Sequence, residues 1–183
     1  MPSDWPNQKS GVAVTGGGTN WQVISTPSIS GNSIKQTAFG SPFLTLPANV
    51  SGVFTVEFSH RINTAITGSP VFGALTDLAS STLTSIDVSG GVFRSYNGSS
   101  FAISSISCSA NTWYDIAIAR DASNNVRLFV NGVLATTQTS SVSLGVITLP
   151  NSQEYPVPAD KYILDEVRVT AACRYTANYT PSH

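Results

Sequence analysis

Asp165 and Glu166 are the only adjacent pair of carboxylates in this chain, which makes them the first place to look for acid-base chemistry. A retaining glycosidase needs two carboxyl groups about 5 Å apart across a scissile bond. Neighbouring residues of an extended strand point to opposite faces, so this pair cannot flank one bond. A Glu-x-Asp-x-Glu run would place its carboxylates on a single face, and the chain has none. In an unbroken strand Asp165 shares its side with Ile163, Val167 and Val169, so it is expected to be a buried, hydrogen-bonded carboxylate or an arginine partner.

The other reactive types are no better arranged. His60 closes the strand that begins at Phe54, His183 is the last residue, and no Gly-x-Ser-x-Gly elbow or Cys-His pairing accompanies them. Calcium needs several convergent oxygens, whereas Asp77, Asp87, Asp121 and Asp160 stand singly. No enzyme activity, cofactor or metal is expected. What remains is recognition by aromatic faces flanked by amides, the usual chemistry of sugar binding. Trp21 beside Asn20, Tyr96-Asn97 and Tyr155 in a proline-rich stretch are the candidate ligand-binding residues, all placed on loops or turns.

Composition narrows the partners. Only 10% of the 183 residues are charged and the formal net charge is −1, so the polar surface must come from Ser, Thr, Asn and Gly. The basic residues are scattered, which argues against nucleic acid. No apolar run is long enough to enter a membrane and no leader-like segment opens the chain, so synthesis in the cytosol is expected. Cys108 and Cys173 then read as free buried thiols, with a single bridge as the alternative. The sequons at Asn49, Asn97 and Asn178 read as chance.

The elements that must carry these residues are strands. Helical periodicity is nearly absent, and runs of Val, Ile, Phe and Thr alternate with polar residues between Gly, Pro, Ser and Asn clusters. Phe54, Val56 and Phe58 alternate with Thr55, Glu57 and Ser59. Further strands are predicted near 43–46, 71–75, 83–88, 92–96, 101–106, 114–120, 126–131 and 162–170, too many for one open sheet, so two packed sheets follow. Trp113–Arg120 leads through a five-residue turn, Asp121–Asn125, into Val126–Val130, and Asn131-Gly132 then fits a type I′ turn into Val133–Thr137. This three-strand meander is placed at the centre of the fold. Residues 1–41 are irregular, with one or two peripheral strands, and 149–158 form an exposed loop within a single domain, 1–183. Tyr175 and Tyr179 are spaced to pin the C-terminus across the fold.

Several of these segments also resemble a known family. Asp165-Glu-Val-Arg-Val169 with Arg174-Tyr-Thr-Ala-Asn-Tyr-Thr-Pro181 is similar to the closing segment of laminin G-like, concanavalin A-type jelly-roll modules of tailed-bacteriophage virion proteins. Phe43–Pro47 with Phe54–Phe58, and Trp113–Ala117 with Leu128–Gly132, resemble the paired early strands and the hairpin of those modules; Ser59 stands where the family commonly has tryptophan, and residues before 39 match poorly. The resemblance implies an all-β, concanavalin A-like (laminin G-like) antiparallel β-sandwich jelly roll, in which the hairpin tryptophan, Trp113, packs into the core. It also implies a non-catalytic virion structural protein, made in the host cytoplasm and docked on capsid or tail. Its expected partners are other virion proteins, further copies of itself in a trimer or ring, and host polysaccharide. A lectin-like adhesion domain, on a phage tail or a bacterial surface, is the alternative, and a degenerate glucanase a third.

Overall fold

The computed structural model describes residues 15–16, 21–24, 33–36, 44–63, 71–149 and 162–181. Short strands come first: β1 (Thr15–Gly16), β2 (Trp21–Ile24) and β3 (Ser33–Gln36). Longer ones follow, β4 (Leu44–Val50), β5 (Phe54–Ile62), β6 (Val71–Thr76), β7 (Thr82–Ser89), β8 (Val92–Tyr96) and β9 (Phe101–Ser107). The rest are β10 (Trp113–Arg120), β11 (Asn125–Val130), β12 (Val133–Thr139), β13 (Leu144–Leu149) and β14 (Tyr162–Thr170). There is no helix among the described residues.

These strands form two seven-stranded sheets, ordered β1-β4-β13-β6-β7-β8-β9 and β12-β11-β10-β5-β14-β3-β2. The expected sandwich is therefore present, as are the predicted strands. Among the described residues the N-terminal segment supplies three short strands rather than one or two: β1 and β2 at sheet edges and β3 between β14 and β2. No strand is predicted over β13, yet it pairs with both β4 and β6 in the interior of the first sheet. The meander of β10, β11 and β12 lies at one flank of the second sheet, not at its centre, and β12 is an edge strand. Its first turn is Asp121–Asn124, one residue shorter than expected, because Asn125 already pairs with Thr139. In the second turn Asn131 and Gly132 have φ of 51° and 76°, the two positive angles that a type I′ turn requires.

The core is the interdigitation of the two inner faces. A line of rings crosses between sheets, with centroids 4.2 Å apart for His60–Phe72, 5.2 Å for Phe72–Phe93 and 5.0 Å for Phe93–Tyr114. Tyr114, Ile116 and Ile118 belong to this core. Trp113 does not; it has the opposite parity and is half-buried on the outer face, which corrects the expectation that it is a core residue.

A bulge in β14 changes a second expectation. Asp165 pairs with Ser59 and Arg168 with Glu57, so Glu166 and Val167 stand against Phe58 alone, and Glu166 takes a φ of 53°. The extra residue reverses the alternation. Tyr162 and Leu164 face the core before it and Val167 and Val169 after it, so Asp165 keeps Ile163 on its side but not Val167 or Val169. Asp165 is fully buried, as expected, and its Oδ1 accepts the N–H of Glu166 at 2.8 Å.

Beyond β14 the tail returns across the outer face of the second sheet. Thr55 Oγ1 donates to the Ala172 carbonyl at 2.7 Å and accepts the Arg174 N–H at 2.9 Å. Tyr175 and Tyr179 stack 3.6 Å apart and both meet the buried ring of Phe129 edge-on. Tyr179 N–H donates to the Gly132 carbonyl at 2.9 Å, and Asn178 Oδ1 accepts the Leu134 N–H at 2.8 Å. The two tyrosines thus pin the C-terminus across the fold.

Candidate functional site

The β8–β9 turn is built by one side chain. Asn97 Oδ1 accepts the N–H groups of Ser99 and Ser100 at 3.1 and 3.0 Å, an Asx-type turn, and Gly98 supplies the positive φ that follows. Tyr96 Oη donates to the Gly98 carbonyl at 2.8 Å. The turn hangs over β12, the edge of the opposite sheet, and side chains close the gap: Asn97 Nδ2 donates to the Thr139 carbonyl and Gln138 Nε2 to the Ser100 carbonyl. Underneath, Ser95 Oγ donates to Gln138 Oε1, leaving Thr136 Oγ1 to donate to Ser95 Oγ at 2.7 Å.

This stitching leaves a shallow polar groove along the seam, in two lobes that share Asn97 and Thr139. The lobe of about 400 Å³ holds Ser100, Thr137 and Gln138 beside Phe101. The other, about 430 Å³, is lined by Ser99, Ser123, Asn124, Ser140, Ser141 and Val142. No charged residue among the described ones lines either lobe. Both volumes fall within the range of small-molecule sites.

Aromatic surface flanks the first lobe. Phe101 is 49% exposed and lies opposite Tyr96, with ring centroids 4.7 Å apart. The Arg94 guanidinium sits 3.9 Å from the centroid of Phe101 and forks onto Asp87, Nη2 to Oδ2 at 2.9 Å. The hydrogen bond with Asp87 raises the Arg94 pKa further. Ile103, next on the same face, is 70% exposed.

Of the residues singled out from sequence, the structure places Asn97 in both lobes of this groove, while Tyr96 ends β8 and packs beside Phe101 without lining either lobe. Trp21 opens β2, an edge strand of the second sheet, so it is not on a loop; Tyr155 lies outside the described residues. Sequence reasoning missed Phe101, Thr137 and Gln138. Phe101 and Ile103 alternate along β9 immediately after an Asn-Gly turn, a legible sign of an apolar outer face. Nothing in the sequence reports that β12 lies beside that turn.

Among the described residues, the acidic side chains form no open pair. Glu57 accepts two hydrogen bonds from Arg168 at 2.8 and 2.7 Å and one from Tyr175 Oη at 2.7 Å, and Arg174 also binds it. Burial alone would push its carboxyl up, but these partners outweigh burial and the net shift is downward. Tyr175 is the phenol beside a carboxylate that a tyrosine nucleophile would need, yet burial and then the bond to Glu57 raise its pKa, the wrong direction for a nucleophile. Asp115 Oδ1 accepts from Ser59 at 2.8 Å and Asp165 is fully buried. His60 is enclosed by apolar rings, and no group of three His, Cys, Asp or Glu able to hold a metal occurs among the described residues. Cys108 and Cys173 are free; Cys108 is buried and Cys173 partly so.

The profile described as the concanavalin A-like lectin/glucanases superfamily matches residues 40–171. The chain belongs to this superfamily. Curated proteins give no significant match. Among solved structures, this concanavalin A-like chain is similar to a Trypanosoma rangeli sialidase, with TM-score 0.66, 12% identity, and 90% of this chain covering 28% of that one. It is similar also to the binding domain of Paraclostridial Mosquitocidal Protein 1, with TM-score 0.66, 14% identity, and 90% of this chain covering 45% of that one. A third is the ligand binding domain of botulinum neurotoxin serotype D in complex with N-acetylneuraminic acid, with TM-score 0.66, 16% identity, and 90% covering 43%. The chain thus spans less than half the length of each, and at such identities the likeness speaks for the fold.

Proposed function

We propose that this concanavalin A-like module is a non-catalytic adhesion subunit that binds glycans in the groove between the β8–β9 turn and β12. One observation carries the reading: a neutral groove lined by hydroxyls and amides lies beside the half-exposed ring of Phe101. Hydroxyl-rich ligands need that combination of short polar partners and an apolar edge. The complex of a structural neighbour with N-acetylneuraminic acid is consistent with it. The absence of an open carboxylate pair among the described residues argues for binding without turnover.

The sequence resemblance supports a place of action on a virion. The module is a structural and adhesive accessory of a tailed-phage virion, made in the host cytoplasm, docked on capsid or tail beside other virion proteins, and present in many copies. Weak sites gain avidity by a factor of about 10² or more when multiplied. Ile103 on the outer face supports docking, since a residue 70% exposed and apolar is suited to a protein contact.

The test is a glycan array with the purified protein and with Phe101→Ala, alongside imaging-based location in purified virions. Binding that falls about tenfold or more in Phe101→Ala, with thermal stability unchanged, supports the reading. Retention on capsids with no binding to any glycan would leave decoration as the function. Release of reducing sugar from a β-glucan would overturn the non-catalytic assignment.

A further inference from the structure

Arg120 ends β10 directly behind the second lobe. It is 6% exposed, and its Nη2 donates to Asn124 Oδ1 at 2.6 Å and its Nη1 to the Val142 carbonyl at 2.5 Å. Asn124 and Val142 are themselves walls of that lobe. The Arg120 Nε has no partner, and among the described residues no carboxylate pairs with the guanidinium. Its neighbour Asp121 is spent elsewhere: it binds Arg127 Nη1 at 2.7 Å, Asn125 Nδ2 at 2.9 Å and the N–H groups of Ser123 and Asn125. Hydrogen bonds from Asn125, partly opposed by burial and joined by Arg127, hold the Asp121 carboxyl well below the usual range, so it remains the anion that balances Arg127. Among the described residues around this end of the groove, the charge of Arg120 has no counter-charge.

A guanidinium removed from water with only neutral acceptors is costly, because buried charges ordinarily have a counter-charge. Low-dielectric surroundings also screen its field weakly, so the lobe a single side chain away feels it. We propose that the second lobe of the groove takes an anionic group of the ligand, the carboxylate or sulfate of an acidic sugar, with Arg120 supplying the attraction. The hydroxyls of Ser99, Ser123 and Ser141 bond the acid and its ring, while neutral residues meet Phe101 at the other end. This rests on the glycan-binding reading and narrows it to acidic saccharides.

The experiment uses two matched pairs of probes, methyl β-glucuronide against methyl β-glucoside and 3′-sialyllactose against lactose, titrated by NMR into the full chain at low and at moderate salt. The expected result is an advantage of about tenfold for the acidic member of at least one pair, as a charged hydrogen bond provides, shrinking as salt is added. Ser141→Glu, at an exposed rim position, puts a carboxylate in the lobe and should abolish the advantage, weakening the acidic sugar far more than the neutral one. Arg120→Lys should retain part of it and Arg120→Gln none; if Arg120→Gln fails to fold, Ser141→Glu and the salt series carry the test alone. Equal affinities within both pairs would overturn the inference while sparing glycan binding. Failure of all four sugars to bind would sink both, and an advantage that survives Ser141→Glu would place the anion elsewhere and refute the assignment to this lobe.

Discussion

His60 shows how one side chain can set the acid limit of a fold. Its ring is 0% exposed, packed against Phe72 and Tyr162, and neither nitrogen has a hydrogen-bond partner. Burial disfavours the imidazolium and lowers the pKa from 6.5 to about 3. The native state therefore refuses a proton that the unfolded chain accepts, so stability is full above the unfolded value and declines as pH falls from 6.5 toward 3. Urea denaturation should register a loss of about 2 kcal/mol by roughly pH 5, and His60→Phe, of similar volume, should flatten that decline. Glu57 acts in the same sense but lower: its depressed carboxyl contributes stability above the usual 4.5 that is lost as pH falls through the folded value, so measurements above that range isolate His60. Glu57→Gln should cost about 2 kcal/mol at neutral pH, because Arg168, Arg174 and Tyr175 lose their shared acceptor. Cys108 is the third residue with a clear expectation. Burial, partly offset by a hydrogen bond with Tyr114, pushes its thiol up to about 12, so a thiol reagent at mildly alkaline pH should leave it unlabelled until the protein unfolds.

At the scale of the element, the C-terminal tail behaves as a strap over the second sheet. Its hold depends on Gly132, whose φ of 76° few side chains adopt and whose missing Cβ would fall 2.0 Å from the Tyr179 carbonyl oxygen. Gly132→Ala should lift the tail and destabilise the protein by more than about 2 kcal/mol, whereas Asn131→Gly in the same turn should cost under about 1 kcal/mol. Tyr179→Ala removes the stack on Tyr175 and the contact with Phe129 and should cost about 2–3 kcal/mol, read as a shift in denaturation midpoint. The strap was legible in the sequence as spaced tyrosines after a β-branched strand. The bulge at Glu166 was not, because an extra residue leaves no signature when hydrophobic and polar positions simply change phase. That is why Asp165 is buried as expected but on a different side from Val167.

At the scale of the whole molecule, the seam between β5 and β14 joins segments a hundred or more positions apart and holds the middle of the second sheet. A chain ending before Tyr162 should therefore fail to give a cooperative unfolding transition, a result that circular dichroism would read directly. Composition and period-two patterning determined by themselves that this chain makes two packed antiparallel layers, since only that arrangement buries alternate residues of so many short uncharged strands. The Asn-Gly and Asp-x-x-Asn turns were likewise written locally, because positive φ angles and side-chain capping depend on a few adjacent residues. Tertiary structure alone decided that β13 enters the first sheet between β4 and β6, that the meander lies at a flank, and that the β8–β9 turn overhangs β12. These are pairings between distant segments, chosen by which edges and inner faces fit together, and a neutral strand such as Leu144–Leu149 carries no local mark of its partners. The groove, and the buried cation behind it, exist only because those pairings bring Asn97, Gln138 and Arg120 within reach of one seam.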